Sequence, residues 1–139
     1  MSEKNLKILI VEDDFISRRI LQEILTPYGK CDMAKDGKEA IHAFYLGWEE
    51  LSPYDLICMD VMMPEIDGQE ALQKIRDMEL EMGIIGSQEV KVIMVTALDD
   101  LKNIIKAFHD GGATSYIVKP ISKKNLIGEM VKLGLIQQV

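Results

Sequence analysis

No stretch of this 139-residue chain is apolar for long enough to cross a bilayer, which takes about 20 residues as a helix. The N-terminus, MSEKNLK, lacks the apolar region of a signal peptide. Together these absences make a cytoplasmic protein, with no membrane insertion, the expectation. Cysteine is scarce: Cys31 and Cys58 stand at no metal-ligand spacing, each among strand-like residues, so both read as reduced thiols and a disulfide framework is excluded. The two histidines, His42 and His109, fall in helical segments without a second Cys or His at ligand spacing, and both read as partly exposed helix residues. Positive charge is short as well. With 16 Lys and Arg against 23 Asp and Glu, the net charge of -7 excludes direct nucleic-acid binding, which needs a basic stripe to displace counterions. The deficit is local, because residues 1–98 hold 10 basic and 19 acidic residues whereas residues 99–139 hold 6 and 4. Repeats, low-complexity tracts and linkers are also missing, so one domain over residues 1–139, with no output domain, is expected.

What is present is enough apolar sequence, 47% of residues, to build a core. Apolar, β-rich runs recur at Leu6 to Val11, Cys31 to Ala34, Leu56 to Met59, Val90 to Thr96 and Tyr116 to Val118. Between them lie segments of helical period, with Ile16, Ile20 and Ile24 in the first and Leu101, Ile104, Ile105 and Phe108 in a later one. Pro27 and Gly111-Gly112 read as helix stops, and Asp36 and Ser122 as N-caps. The last helix is expected over Lys123 to Leu133. Strict alternation of strand and helix implies an α/β fold with a five-stranded parallel sheet, doubly wound, and helices on both faces. In such sheets a ligand site lies at the carboxyl ends of the strands.

The residues at those ends are Glu12-Asp13-Asp14, Asp60, Thr96-Ala97 and Lys119-Pro120. Crowded carboxylates repel one another unless a cation neutralises them, and hard oxygen ligands suit Mg²⁺. A metal-dependent phosphoryl site is the chemistry that fits. Each member also has a plain structural use. Asp13-Asp14 suits a helix cap, Thr96 a β-strand and Lys119 a surface turn before proline. Asp60 at the end of an apolar strand has no such ready use, because a caged carboxylate without partners is costly. It is the conjunction that points to chemistry.

VEDD at 11–14, MDVMMPEIDG at 59–68, VTA at 95–97 and YIVKP at 116–120 resemble receiver domains of bacterial response regulators, over essentially the whole chain. The resemblance implies the flavodoxin-like strand order 2-1-3-4-5, of which receivers are themselves a standard example. It also implies a phosphorylation-activated signalling switch of a two-component phosphorelay, a phosphoacceptor rather than an enzyme. Asp60 is then the nucleophile that takes a phosphoryl group from a histidine kinase. Asp13, Asp14, Asp60 and the backbone carbonyl of Met62 are the implied Mg²⁺ ligands, and Lys119 is the fixed cation. A cis Lys119–Pro120 bond is implied, with Thr96 as the switch hydroxyl, Ala97 leaving room for phosphate and Tyr116 as the rotating aromatic. The implied partners are a sensor histidine kinase or phosphotransfer protein and a downstream protein. The docking or dimer face lies on the Leu101 to Phe108 helix, the strand of Tyr116 and the last helix, with Lys102, Lys106, Lys123 and Lys124. Met62 and Leu98, two positions beyond the acceptor and the switch hydroxyl, offer no hydrogen bond to an attacking water, which implies slow to moderate self-hydrolysis.

Three rival functions compete with this one. A haloacid-dehalogenase-type phosphatase needs a second Asp two residues after the nucleophile, where Met62 stands. A flavin carrier needs a Ser/Thr/Gly-rich phosphate loop after the first strand, where Glu12-Asp13-Asp14 stands. A pseudo-receiver acting only as an interaction module remains as the alternative. Asp67-Gly68 reads as a turn and helix start, the nine methionines read mainly as core filling, and the segment Gly83 to Glu89 is a surface connection longer than receivers need.

Overall fold

The structure is a computed structural model describing residues 5–63, 66–97 and 114–137. Five strands, β1 (Leu6–Val11), β2 (Gly29–Ala34), β3 (Leu56–Asp60), β4 (Lys91–Thr96) and β5 (Ser115–Val118), form one sheet in the order β2-β1-β3-β4-β5. Every pairing is parallel. The central strands read as continuous apolar runs because both of their faces are covered, and all five residues of β3 are buried. The second strand begins at Gly29, two residues before the apolar run, because Leu6 and Lys7 of β1 pair with Gly29 and Lys30. Backbone pairing recruits residues whatever their polarity.

Alternation along the strands divides the core in two. Leu9, Val11, Ile57, Met59, Val92 and Met94 face the helices α2 (Gly37–Glu49) and α3 (Gly68–Glu81), meeting Ala40, Phe44, Leu72 and Ile75. Ile8, Ile10, Leu56, Cys58, Ile93 and Val95 face α1 (Phe15–Leu25) and α4 (Lys123–Lys132), meeting Leu21, Leu25, Leu126 and Met130. Helices therefore cover both faces. The expected helix around Leu101 to Phe108, with its Gly111-Gly112 stop, lies outside the described residues. No described helix is long and apolar enough to cross a membrane.

The caps follow the sequence. Asp36 accepts from the Glu39 amide and Ser122 from the Asn125 amide, each closing a first turn. The stripe Ile16, Ile20, Ile24, in contrast, meets the core only at Ile24, which packs partly buried against it: Ile16 is 67% and Ile20 40% exposed, while Leu21 and Leu25 are fully buried. Two stripes of the same spacing run along α1, and the sheet takes the one one residue further round.

Three helices end alike. At α3 the Ile84 amide donates to the Glu79 carbonyl, at α4 the Leu135 amide to Met130, and at α2 the Ser52 amide to Gly47. These are Schellman turns, whose penultimate residue takes a left-handed conformation. Gly83 (φ 76°) and Gly134 (φ 77°) fill that place at two ends, but at α2 it is Leu51, with φ 57°. The Gly83 to Glu89 connection lies largely on the surface, as expected, though Ile84 is buried. Its end is anchored by the buried Glu79, whose carboxylate accepts from the Val90 amide at 2.8 Å and pairs with Arg76 at 2.6 Å.

Candidate functional site

β1, β3 and β4 deliver Glu12, Asp60 and Thr96 to the carboxyl end of the sheet, since parallel strands end together. Asp60 closes β3 and is only 4% exposed. Its Oδ1 accepts from the Met62 amide at 3.2 Å, and its Oδ2 faces the Lys119 ammonium at 3.5 Å. The same ammonium lies 3.5 Å from Glu12 Oε1. Lys119 is held there by its backbone: its amide donates to the Thr96 carbonyl at 2.7 Å, and the Lys119–Pro120 bond is cis. Gly68 lets α3 begin against Asp60, because a Cβ there would sit 2.3 Å from the Asp60 carbonyl oxygen.

Among the described residues, the carboxylates that converge are Glu12, Asp13 and Asp60, with oxygens within 4.8 Å of one another. Asp14 is not among them. Its side chain accepts from the Ser17 amide at 2.8 Å and caps α1, and that bond lowers its pKa. Glu12, which the sequence does not single out as a ligand, takes the inward place and is wholly buried. Its Oε2 accepts from the Asp14 amide at 3.2 Å, while Oε1 has no hydrogen bond. Burial first, and the Asp60 carboxylate second, push its pKa up to about 7. For Lys119 burial pulls the other way, but the Asp60 and Glu12 carboxylates outweigh it and its pKa rises. Arg18 is a further contributor that no motif flags: its guanidinium donates to the Glu12 carbonyl at 2.8 Å and pins the turn after β1.

These residues fit a divalent cation. A fully buried carboxylate oxygen without a hydrogen bond, beside two further carboxylates and one ammonium, has anionic capacity to spare. Thr96 is buried, with its hydroxyl donating to the Ala97 carbonyl at 3.4 Å, and Ala97 is exposed. Tyr116 is 40% exposed on β5, and Met62 is 64% exposed. Leu98 lies outside the described residues. Among the bystanders, His42 is exposed on α2, and Cys58 is buried with its thiol pushed up to about 12 by that burial. Met59, Met63, Met94 and Met130 are core residues, as their apolar context in the sequence suggests.

The sequence profile of the response regulator receiver domain matches residues 8–131. The hybrid signal transduction histidine kinase B of Dictyostelium discoideum is 35% identical over 141 residues, covering 96% of this chain and 7% of the kinase. The two-component response regulator ORR41 of Oryza sativa subsp. japonica is 31% identical over 126 residues, covering 91% of this chain and 92% of the regulator. The chain spans 44% of the ycf27 regulator of Cyanophora paradoxa, so less than half the length of some curated relatives. Among solved structures, the Saccharomyces cerevisiae co-crystal of the phosphotransfer protein Ypd1 with the receiver domain of Ssk1 superposes with a TM-score of 0.80. The match is 30% identical and covers 96% of this chain and 92% of that one.

Proposed function

The chain belongs to the response regulator receiver domain family, and from that membership we propose that Asp60 is the phosphoryl acceptor of a two-component phosphorelay. One observation carries the reading. The Asp60 carboxylate, nearly buried, has one oxygen against the Met62 amide and the other against the Lys119 ammonium, beside two more carboxylates. A purely structural aspartate does not call for that company.

In the proposed step an Asp60 oxygen attacks phosphorus. An O–P bond forms as the N–P bond of a phosphohistidine breaks, and the electron pair returns to the imidazole. Lys119 keeps its proton and stabilises charge on the phosphoryl oxygens. Asp13, Asp60 and the Met62 carbonyl would hold Mg²⁺, with Glu12 in the inward place left by Asp14. When bound, the ion supplies charge neutralisation for the phosphoryl oxygens and the crowded carboxylates. Thr96 is the hydroxyl that turns toward the new phosphoryl group, and Tyr116 the aromatic that follows it. The altered surface is β5 with α4, whose Lys123 and Lys124 are exposed; Lys102 and Lys106 lie outside the described residues. A downstream protein or a second copy is the proposed occupant of that surface.

Receiver domains interact with histidine kinases or phosphotransfer proteins. Here Phe15 and Ile16, 61% and 67% exposed, follow the acidic turn directly, and Met62 follows the acceptor. Apolar groups around a charged mouth fit a phosphodonor protein that must exclude water while it docks.

The test is intact-protein mass after incubation with acetyl phosphate and Mg²⁺. The wild type is expected to gain one metal-dependent phosphoryl group and Asp60→Asn none. If neither gains it, the pseudo-receiver reading replaces this one. An Asp-nucleophile phosphatase remains disfavoured, because the exposed Met62 offers no acid at the required place.

A further inference from the structure

At the end of the sheet opposite Asp60, the C-termini of α2, α3 and α4 converge on an open groove of about 760 Å³. Trp48, Tyr54, Met82, Ile84, Val90 and Leu135 are among the residues that line it. The segment after Gly83 supplies one wall, which gives the long connection a use that the Asp60 site does not.

Two features are out of place in a merely solvated surface. The first is Leu51. It occupies the left-handed position of a Schellman turn where α3 and α4 have glycine, and its side chain is 86% exposed. A non-glycine residue there costs about 1 kcal/mol, and a bare leucine gains nothing back from the rest of the chain. Ile85 (67% exposed), next in sequence to the lining residue Ile84, and the lining residue Met82 (41% exposed) add exposed apolar surface. The second feature is charge. Each helix C-terminus carries a partial negative charge, and basic residues near it usually offset that charge. The last turns of α2 and α3 have none, and only α4 has one, Lys132. Asp55 and Glu89 line the groove with Lys91, the Lys7 ammonium lies 4.6 Å from the Tyr54 ring, and Asp32 and Glu50 are close enough to raise the Tyr54 pKa, behind burial.

We propose that this groove docks a cationic amphipathic segment of a partner protein, its apolar side chains against Trp48 and Ile84 inside the groove and against the exposed Leu51 outside its lining, and its basic ones at the three helix ends. An anionic lipid surface would meet like charge, and a second copy of this acidic end would repel it. Docking here leaves Asp60 open, so the groove serves as a standing anchor rather than a product of phosphorylation.

The full chain, with Mg²⁺ at physiological ionic strength, would be titrated with a synthetic helical peptide of leucine and lysine stripes. A counterpart with glutamate for lysine serves as control. Trp48 is the chain's one tryptophan, so its emission reports directly. The expected result is a saturable emission change, with amide shifts gathered at residues 48–55, 82–91 and 133–135. Leu51→Gly, which relieves the backbone, should keep or raise the melting temperature yet weaken binding by about tenfold. Glu50→Lys with Glu89→Lys should weaken it as well, whereas Asp60→Asn should not. Equal binding of the glutamate peptide, unchanged affinity in Leu51→Gly, shifts elsewhere or no binding would each overturn the proposal. So would adhesion to anionic vesicles, or self-association through the same residues.

Discussion

Glu12 holds a proton more tightly in the fold than outside it. Its pKa rises from 4.5 to about 7 because burial and Asp60 disfavour the charged form. The sign follows from linkage: the protonated group supports the fold fully below its unfolded value, and that support is lost as pH climbs from about 4.5 to about 7. A cation needs the ionised carboxylate, so Mg²⁺ should stabilise the protein more at about pH 8 than at about pH 6. Thermal denaturation of wild type and Glu12→Gln, with and without Mg²⁺, checks this. The variant should show a flatter pH profile and a smaller Mg²⁺ effect, and parallel profiles would remove Glu12 from the site. In the sequence three consecutive acids mark the end of β1 but not which one turns inward. An N-cap accepts from the backbone amide three residues on, which Asp13 and Asp14 both have, so the sequence alone does not separate them; the structure gives the cap to Asp14, and glutamate, a poor cap, turns inward. Asp60, Lys119 and the cis proline were legible because each ends a strand or sits in a fixed motif.

Among elements, α1 shows how periodicity alone can mislead. Ile16, Ile20 and Ile24 have helical spacing, but so do Leu21 and Leu25, and of the first set Ile16 and Ile20 lie in water while Ile24 is only partly buried. Leu21→Ala should therefore cost about 2–5 kcal/mol and Ile20→Ala less than about 1 kcal/mol, read by urea denaturation. Equal costs would mean that the helix is rotated. The strands were easier, because burial on both faces leaves nearly unbroken apolar runs whose ends were mistaken by at most two residues. Leu51 was not legible at all: the position looks like any leucine after a helix until the Schellman bonds of α2 are seen.

For the whole molecule, alternation of strand and helix was enough to give the doubly wound sheet, and the rule for such sheets placed the site at the carboxyl ends of the strands. The opposite end was silent, since three helix C-termini far apart in sequence meet there only through packing. β3 lies in the middle of this sheet, between β1 and β4, and every one of its residues is buried. Amide hydrogens of Ile57, Cys58 and Met59 should exchange only when the whole chain opens, and more slowly than those of edge strand β2. Exchange in β2 as slow as in β3 would contradict this. Asp60, the proposed acceptor, thus ends the most deeply enclosed strand of the sheet, like a survey mark cut in bedrock. A displacement that follows modification is then one of the surroundings measured from Asp60, and it is in the surroundings that the response has to be sought.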